Sequence, residues 1–149
     1  MTFVVPFDGS ALGEAALGRA VELGDALDES VVAVSVVPRG NVRYARKRGW
    51  LDAGEPFDLE AVVSRLRDSV ETLAPSIAFR HATVGQSASA SEIGRELRAV
   101  ARDVDASVVF VGSENAGRIV LSMTTVGSNV ATDTAYDVYL VRSRRSDAD

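Results

Sequence analysis

Seven consecutive residues, Val31 to Val37 (VVAVSVV), carry no charge and a single hydroxyl, and Pro38 stops the run. A strand points alternate side chains to opposite faces. A run that is apolar at nearly every position therefore has both faces buried, the pattern of a central strand in a parallel sheet covered above and below. Three further stretches repeat it: Phe3–Phe7 (FVVPF), Val108–Val111 (VVFV) and Val138–Val141 (VYLV). Proline cannot donate to a sheet ladder, so Pro6 is expected at the carboxyl end of its strand. Ile77–Val84 (IAFRHATV) alternates imperfectly and belongs nearer an edge.

Between these runs the apolar period changes to that of helices. Leu12, Ala16, Ala20, Leu23 and Leu27 recur at helical steps behind Ser10, a good N-cap, although Gly13, Gly18 and Gly24 weaken the segment. Asp58 opens a second stripe of Leu59, Val62, Val63, Leu66, Val70 and Leu73, which Pro75 ends. Ser89 and Glu92 have capping-box spacing ahead of Ile93, Leu97, Val100 and Val104. A last helical stretch is expected around Ser128–Ala135. Strands alternating with helices predict an α/β domain: a doubly wound, Rossmann-like, mainly parallel sheet of five strands with helices on both faces. No repeat or linker divides the chain, so residues 1–143 form one domain and 144–149 a polar tail.

Composition narrows the function. Without cysteine, the chain has no disulfides, thiolate metal sites or cysteine nucleophiles. The charge of −5 argues against a general nucleic-acid binder, which needs net positive surface. No apolar run is long enough to insert in a membrane and no signal peptide is evident, so the expected location is the cytoplasm. Lys47 is the single lysine against fifteen arginines, and aspartate exceeds glutamate by twelve to nine. That balance is similar to salt-adapted, haloarchaeal-type proteins; a GC-rich genome also favours arginine.

In an open parallel sheet, ligands bind beyond the carboxyl ends of strands where the strand order reverses. Two loops suit that position. One is Pro6-Phe7-Asp8-Gly9-Ser10; the other follows Val111-Gly112 and carries Gly117, then Gly127-Ser128-Asn129. Glycines admit a ligand close to the backbone, and a helix start beyond them offers N–H groups to phosphate. If the two strands are neighbours, Asp8 faces Gly112, and its carboxylate can accept hydrogen bonds from an adenine amino group or a ribose hydroxyl. Asp8 also suits a plain turn. Arg39, Arg43, Arg46, Lys47 and Arg48, with Tyr44 and Trp50, occupy a segment without apolar period. It fits a solvated loop, or a lid over phosphates anchored by Trp50. His81, the single histidine, has a structural or surface role, and no metal-ligand cluster surrounds it. Ser10, Ser113 and Ser128 have no nearby histidine or lysine to activate them, so no catalytic residue is assigned.

Over nearly its whole length the chain resembles the universal stress proteins, in its opening FVVPFDGSALGEAALGRAVELG and its closing GRIVLSMTTVGSNVATDTAYDVYLVR. The resemblance implies their adenine-nucleotide α-hydrolase-like fold. It implies adenine or ribose contacts at Asp8 and Val36, with Pro6 and Phe7 beside them. It places Val111, Gly112, Gly117, Gly127, Ser128 and Asn129 on the phosphate side. ATP or a related adenine nucleotide would bind with magnesium or manganese and signal by conformational change, with little or no turnover. The last strand would pair two copies into a homodimer. Nucleotide-binding members space their glycines Gly-x2-Gly-x9-Gly-Ser/Thr; here Gly117 and Gly127-Ser128 keep the longer interval, but Glu114 stands three before Gly117 and Gly112 five before. Those two extra residues and the Glu114 charge, which Arg118 can offset, favour the alternative. That alternative is a homodimeric interaction module that binds no nucleotide and regulates a partner such as a transporter. The loops of ATP pyrophosphatases (SGGxDS) and nucleotidyltransferases (HIGH) are missing.

Overall fold

A computed structural model describes residues 1–113 and 135–142. Five strands form one sheet in the order β3-β2-β1-β4-β5: β1 Thr2–Pro6, β2 Ser30–Pro38, β3 Ala78–Val84, β4 Ala106–Gly112 and β5 Asp137–Val141. Every neighbouring pair is parallel, so the sheet is more uniform than the expected mainly parallel one. Pro6 is the last residue of β1, where its missing donor costs nothing, and the imperfectly alternating β3 is an edge.

The helices are α1 Ala11–Leu27, α2 Val42–Lys47, α3 Leu59–Leu73 and α4 Ala90–Asp103. They cover both faces, and the strands alternate between two cores. Phe3, Val5 and Phe7 of the first strand region join Ala33 and Val37 of β2 under α1 and α3, where Leu17, Val62, Leu66 and Val70 pack. Val4, Val34, Val36, Val109 and Val111 face the other way, onto Ile93, Leu97 and Val100 of α4. That division accounts for a run such as VVAVSVV.

The caps fall where the sequence places them. Ser10 accepts from the Gly13 N–H, Asp58 from Glu60 and Ala61, and Ser89 from Glu92. The face of α1 differs from expectation. Its buried residues are Gly13, Ala16, Leu17, Ala20 and Gly24, while Leu27 is 61% exposed. Small residues let this helix lie close on the sheet. A Cβ on Gly24 would stand 2.9 Å from Val31 Cγ2 and 3.0 Å from the Glu29 carbonyl oxygen. Two of the glycines that weaken α1 as an isolated helix are thus its contact surface. Leu73, the last of the expected α3 stripe, is likewise exposed. The expected stretch around 128–135 falls outside the described residues except at its end, and the 144–149 tail falls outside them entirely.

Gly24→Ala is expected to destabilise the chain by about 1–3 kcal/mol through overpacking. Gly18→Ala, whose Cβ would meet nothing within 4 Å, is expected to stabilise it by about 0.5–1 kcal/mol through helix propensity. Urea unfolding of the two variants, with opposite shifts in midpoint, checks the contact.

Candidate functional site

The strand order reverses between β1 and β4, and the segment leaving β1 runs Phe7-Asp8-Gly9-Ser10 into α1. Its backbone is tied to β2 twice. The Phe7 N–H donates to the Val34 carbonyl at 2.8 Å. The Ser35 hydroxyl, buried among valines, donates to the Phe7 carbonyl at 2.6 Å. Ser35 is therefore a positioning residue for Asp8, and its one sign in the sequence is a hydroxyl inside an apolar run. Gly9 adopts φ +83°, a left-handed turn that glycine accepts without strain.

Asp8 is held on three sides. Its Oδ1 accepts from the Ser10 N–H at 2.9 Å, and its Oδ2 pairs with Arg48 Nη1 at 2.5 Å. Its carbonyl accepts from the Trp50 indole N–H at 2.9 Å. Gly13 supplies the room: a Cβ there would lie 3.2 Å from Asp8 Oδ1 and 3.1 Å from Ser10 Oγ.

A crevice opens beside this turn, on the α4 side of the sheet. Its walls are Pro6, Phe7, Asp8, Val34, Val36, Tyr44, Ile93 and Leu97. Of the residues expected at a nucleotide, the structure brings Pro6, Phe7, Asp8 and Val36 together here. Val111 lies in the same α4-side core but is not among the crevice walls. Gly112 ends β4 against α1, where a Cβ would meet Leu12 Cβ at 2.9 Å. Close helix packing is sufficient reason for that glycine. Gly117, Gly127, Ser128 and Asn129, with Glu114 and Arg118, lie outside the described residues. Among the described residues no group of three or more acidic, histidine or cysteine side chains is placed to hold a metal ion.

The basic segment is more ordered than a solvated loop. It folds into α2, with the Asn41 side chain capping it at the Tyr44 N–H. Tyr44 packs against Trp50 with ring centroids 5.6 Å apart, and the Arg48 guanidinium lies 4.9 Å above the Tyr44 ring. Trp50 is only 4% exposed, the anchor expected of it. Arg65 of α3 secures the far side. Its Nη1 donates to the Trp50 carbonyl at 2.6 Å, and both terminal nitrogens bind Glu55, at 2.9 and 2.7 Å. The hydrogen bond from Arg65, then that from the Asp52 N–H, holds the Glu55 carboxyl down to about 2. Tyr44, Arg48, Ile93 and Leu97 were not legible as site residues. They come from separate parts of the chain: Tyr44 and Arg48 were marked only by the cluster of aromatic and basic residues in an aperiodic segment, and Ile93 and Leu97 only by the apolar stripe of a core helix.

The family model described as the universal stress protein family matches residues 1–142. The chain belongs to the universal stress protein family. A search of curated protein sequences found no match. Solved universal stress proteins share the fold across almost the whole chain. One, determined in complex with cAMP, is 22% identical, with TM-score 0.51 and coverage of 95% of this chain and 97% of that one. The Archaeoglobus fulgidus universal stress protein in complex with dAMP is 14% identical, with TM-score 0.57 and coverage of 95% and 98%. The Lactobacillus plantarum universal stress protein is 16% identical, with TM-score 0.56 and coverage of 95% and 97%. At such identities the likeness establishes the fold. Among the described residues of this universal stress protein, no helix is long and apolar enough to cross a membrane.

The Glu55–Arg65 brace has a defined pH signature. A carboxyl whose folded value is depressed from 4.5 to about 2 contributes stability that is complete above 4.5 and is lost as the pH falls toward 2. The stability difference between wild type and Glu55→Gln is thus expected to be constant from pH 5 upward and to vanish by about pH 2. Denaturant midpoints of both proteins across that range measure it.

Proposed function

We propose that this universal stress protein is a regulatory stress-response module that binds ATP or a related adenine nucleotide. The observation that carries the proposal is the crevice beside Asp8. It has apolar walls of Val34, Val36, Ile93 and Leu97, suited to the faces of a purine, and one carboxylate at its rim, suited to an amino or hydroxyl donor. It lies at the carboxyl ends of parallel strands, beside the reversal of strand order. Relatives of the same fold have been determined with cAMP and with dAMP, which supports an adenine ligand. In this proposal Gly117, Gly127, Ser128 and Asn129 take the phosphates, and magnesium or manganese accompanies them. The protein acts in the cytoplasm, by binding rather than by turnover.

Calorimetric titration with ATP and magnesium tests the proposal, at low and at high potassium chloride. Micromolar binding is expected, with Asp8→Ala and Gly127→Glu each abolishing it while circular dichroism stays unchanged. Equal affinity in the Asp8 variant would remove the crevice as the adenine site.

The same proposal includes a homodimer formed through β5. Among the described residues this strand ends the sheet, and its Tyr139 and Leu140 are 39% and 44% exposed. An unpaired apolar edge is a template for another strand. Leu140→Lys is expected to convert dimer to monomer in sedimentation velocity, with no loss of fold.

The interaction-module alternative keeps the dimer and drops the nucleotide. It is favoured by the extra residues between Gly112 and Gly117. Failure of ATP, AMP and cyclic AMP to bind a folded dimer would select it.

A further inference from the structure

The chemistry of the crevice suits adenine, but its space does not. The volume left between its walls is about 20 Å³, room for roughly one water molecule. Apart from Phe7 and Asp8 in the turn that leaves β1, Tyr44 is the one wall that comes from neither the sheet nor α4. It packs against both cores, at the seam where the α1-side and α4-side clusters meet above the end of the sheet. Behind it the Arg48 guanidinium does two things at once: it lies over the Tyr44 ring and pairs with Asp8, the carboxylate a ligand would address. Trp50 completes the fastening by donating to the Asp8 carbonyl.

We propose that α2 and the turn behind it are a built-in plug of the nucleotide crevice, latched by the Arg48–Asp8 ion pair, and that an adenine nucleotide binds by displacing it. The inference rests on the nucleotide assignment above and adds its regulation. The ligand's hydrogen-bonding edge replaces Arg48 at Asp8, and its base displaces the Tyr44 ring from the crevice it lines with Val36 and Leu97. The segment freed contains Ala45, Trp50 and Leu51, all buried in the closed form. Occupancy of the crevice is in this way converted into a change of surface several residues away. The closed state also lowers apparent affinity, because only the unlatched fraction of molecules can accept ligand. Arg43 and Lys47, both exposed on α2, travel with the segment.

The single tryptophan makes the latch observable without any ligand. The test uses the full chain, with acrylamide quenching of Trp50 and calorimetric titration with ATP and magnesium, on wild type, Arg48→Gln and Tyr44→Ala. In wild type, Trp50 is expected to be shielded and to become quenchable as ATP is added. Arg48→Gln is expected to be quenchable without ATP and to bind ATP roughly five- to tenfold more tightly. Tyr44→Ala, which removes the plug but keeps the ion pair, is expected to gain affinity as well. Wild-type binding that leaves Trp50 shielded, or variants that bind ATP no better than wild type, would overturn the plug and leave the nucleotide site standing. Failure of all three folded proteins to bind ATP would overturn the nucleotide assignment and the plug with it.

Discussion

Burial of both faces of a parallel sheet is the constraint on which the rest of this molecule depends. With α1 and α3 on one side and α4 on the other, β1 and β2 have no solvated face, and their side chains are apolar in both directions. Polar chemistry is then excluded from the body of the sheet and collects where the strands end. Asp8, Ser10, Arg48 and the Trp50 indole all meet within a few residues of the end of β1. Ser35 is the one polar side chain among the fully buried residues described, and it is spent on the Phe7 carbonyl, holding the β1 end in place.

The second consequence concerns how closely a helix can approach. Burying the sheet requires α1 to lie close on it, and the approach is set by Gly24 against Val31 and, from the sheet side, by Gly112 against Leu12. A glycine that looks like a ligand-binding feature can thus have a packing cause. Gly112 meets Leu12 so closely that any side chain would displace the helix. The phosphate role assigned to it by resemblance is separate from this and is not needed to account for the residue.

The segment after β2 has a character of its own. It is fastened at several points: by Asn41 at its start, by Asp8 at Arg48 and Trp50, and by Arg65 at the Trp50 carbonyl and Glu55. Most of these are single hydrogen bonds or partly exposed ion pairs, each of modest net strength. A cover held by several weak ties, over a cleft with apolar walls, is the kind of element that a ligand of ordinary affinity can move. Here the carboxyl end of β1 is covered by the chain's own aromatic and arginine side chains.

Period and punctuation were sufficient for the fold class, for the strands and their capped helices, and for the placement of Pro6 and the edge strand. They succeeded because apolar period, proline and N-cap residues act through neighbours in sequence. They also singled out Asp8, and the family resemblance added Val36; the fold brings both into one crevice. The buried face of α1 was placed correctly at Ala16 and Ala20 but misjudged at Leu27, and Gly13, Leu17 and Gly24 were missed. Leucines at helical steps announce a core by size, while the contact at Gly24 demanded no side chain, a requirement imposed by the sheet. Helix α2 and the pairing of Arg48 with Asp8 were illegible for a related reason: forty residues separate the partners, and no local pattern records a distance in space. The sequence by itself determined that an acidic, cysteine-free α/β domain would form, with Asp8 in the turn at the end of its first strand. Only the tertiary structure decided that Tyr44 forms one wall of the crevice and that Asp8 is engaged by Arg48, because both depend on where distant segments come to rest over the end of a common sheet.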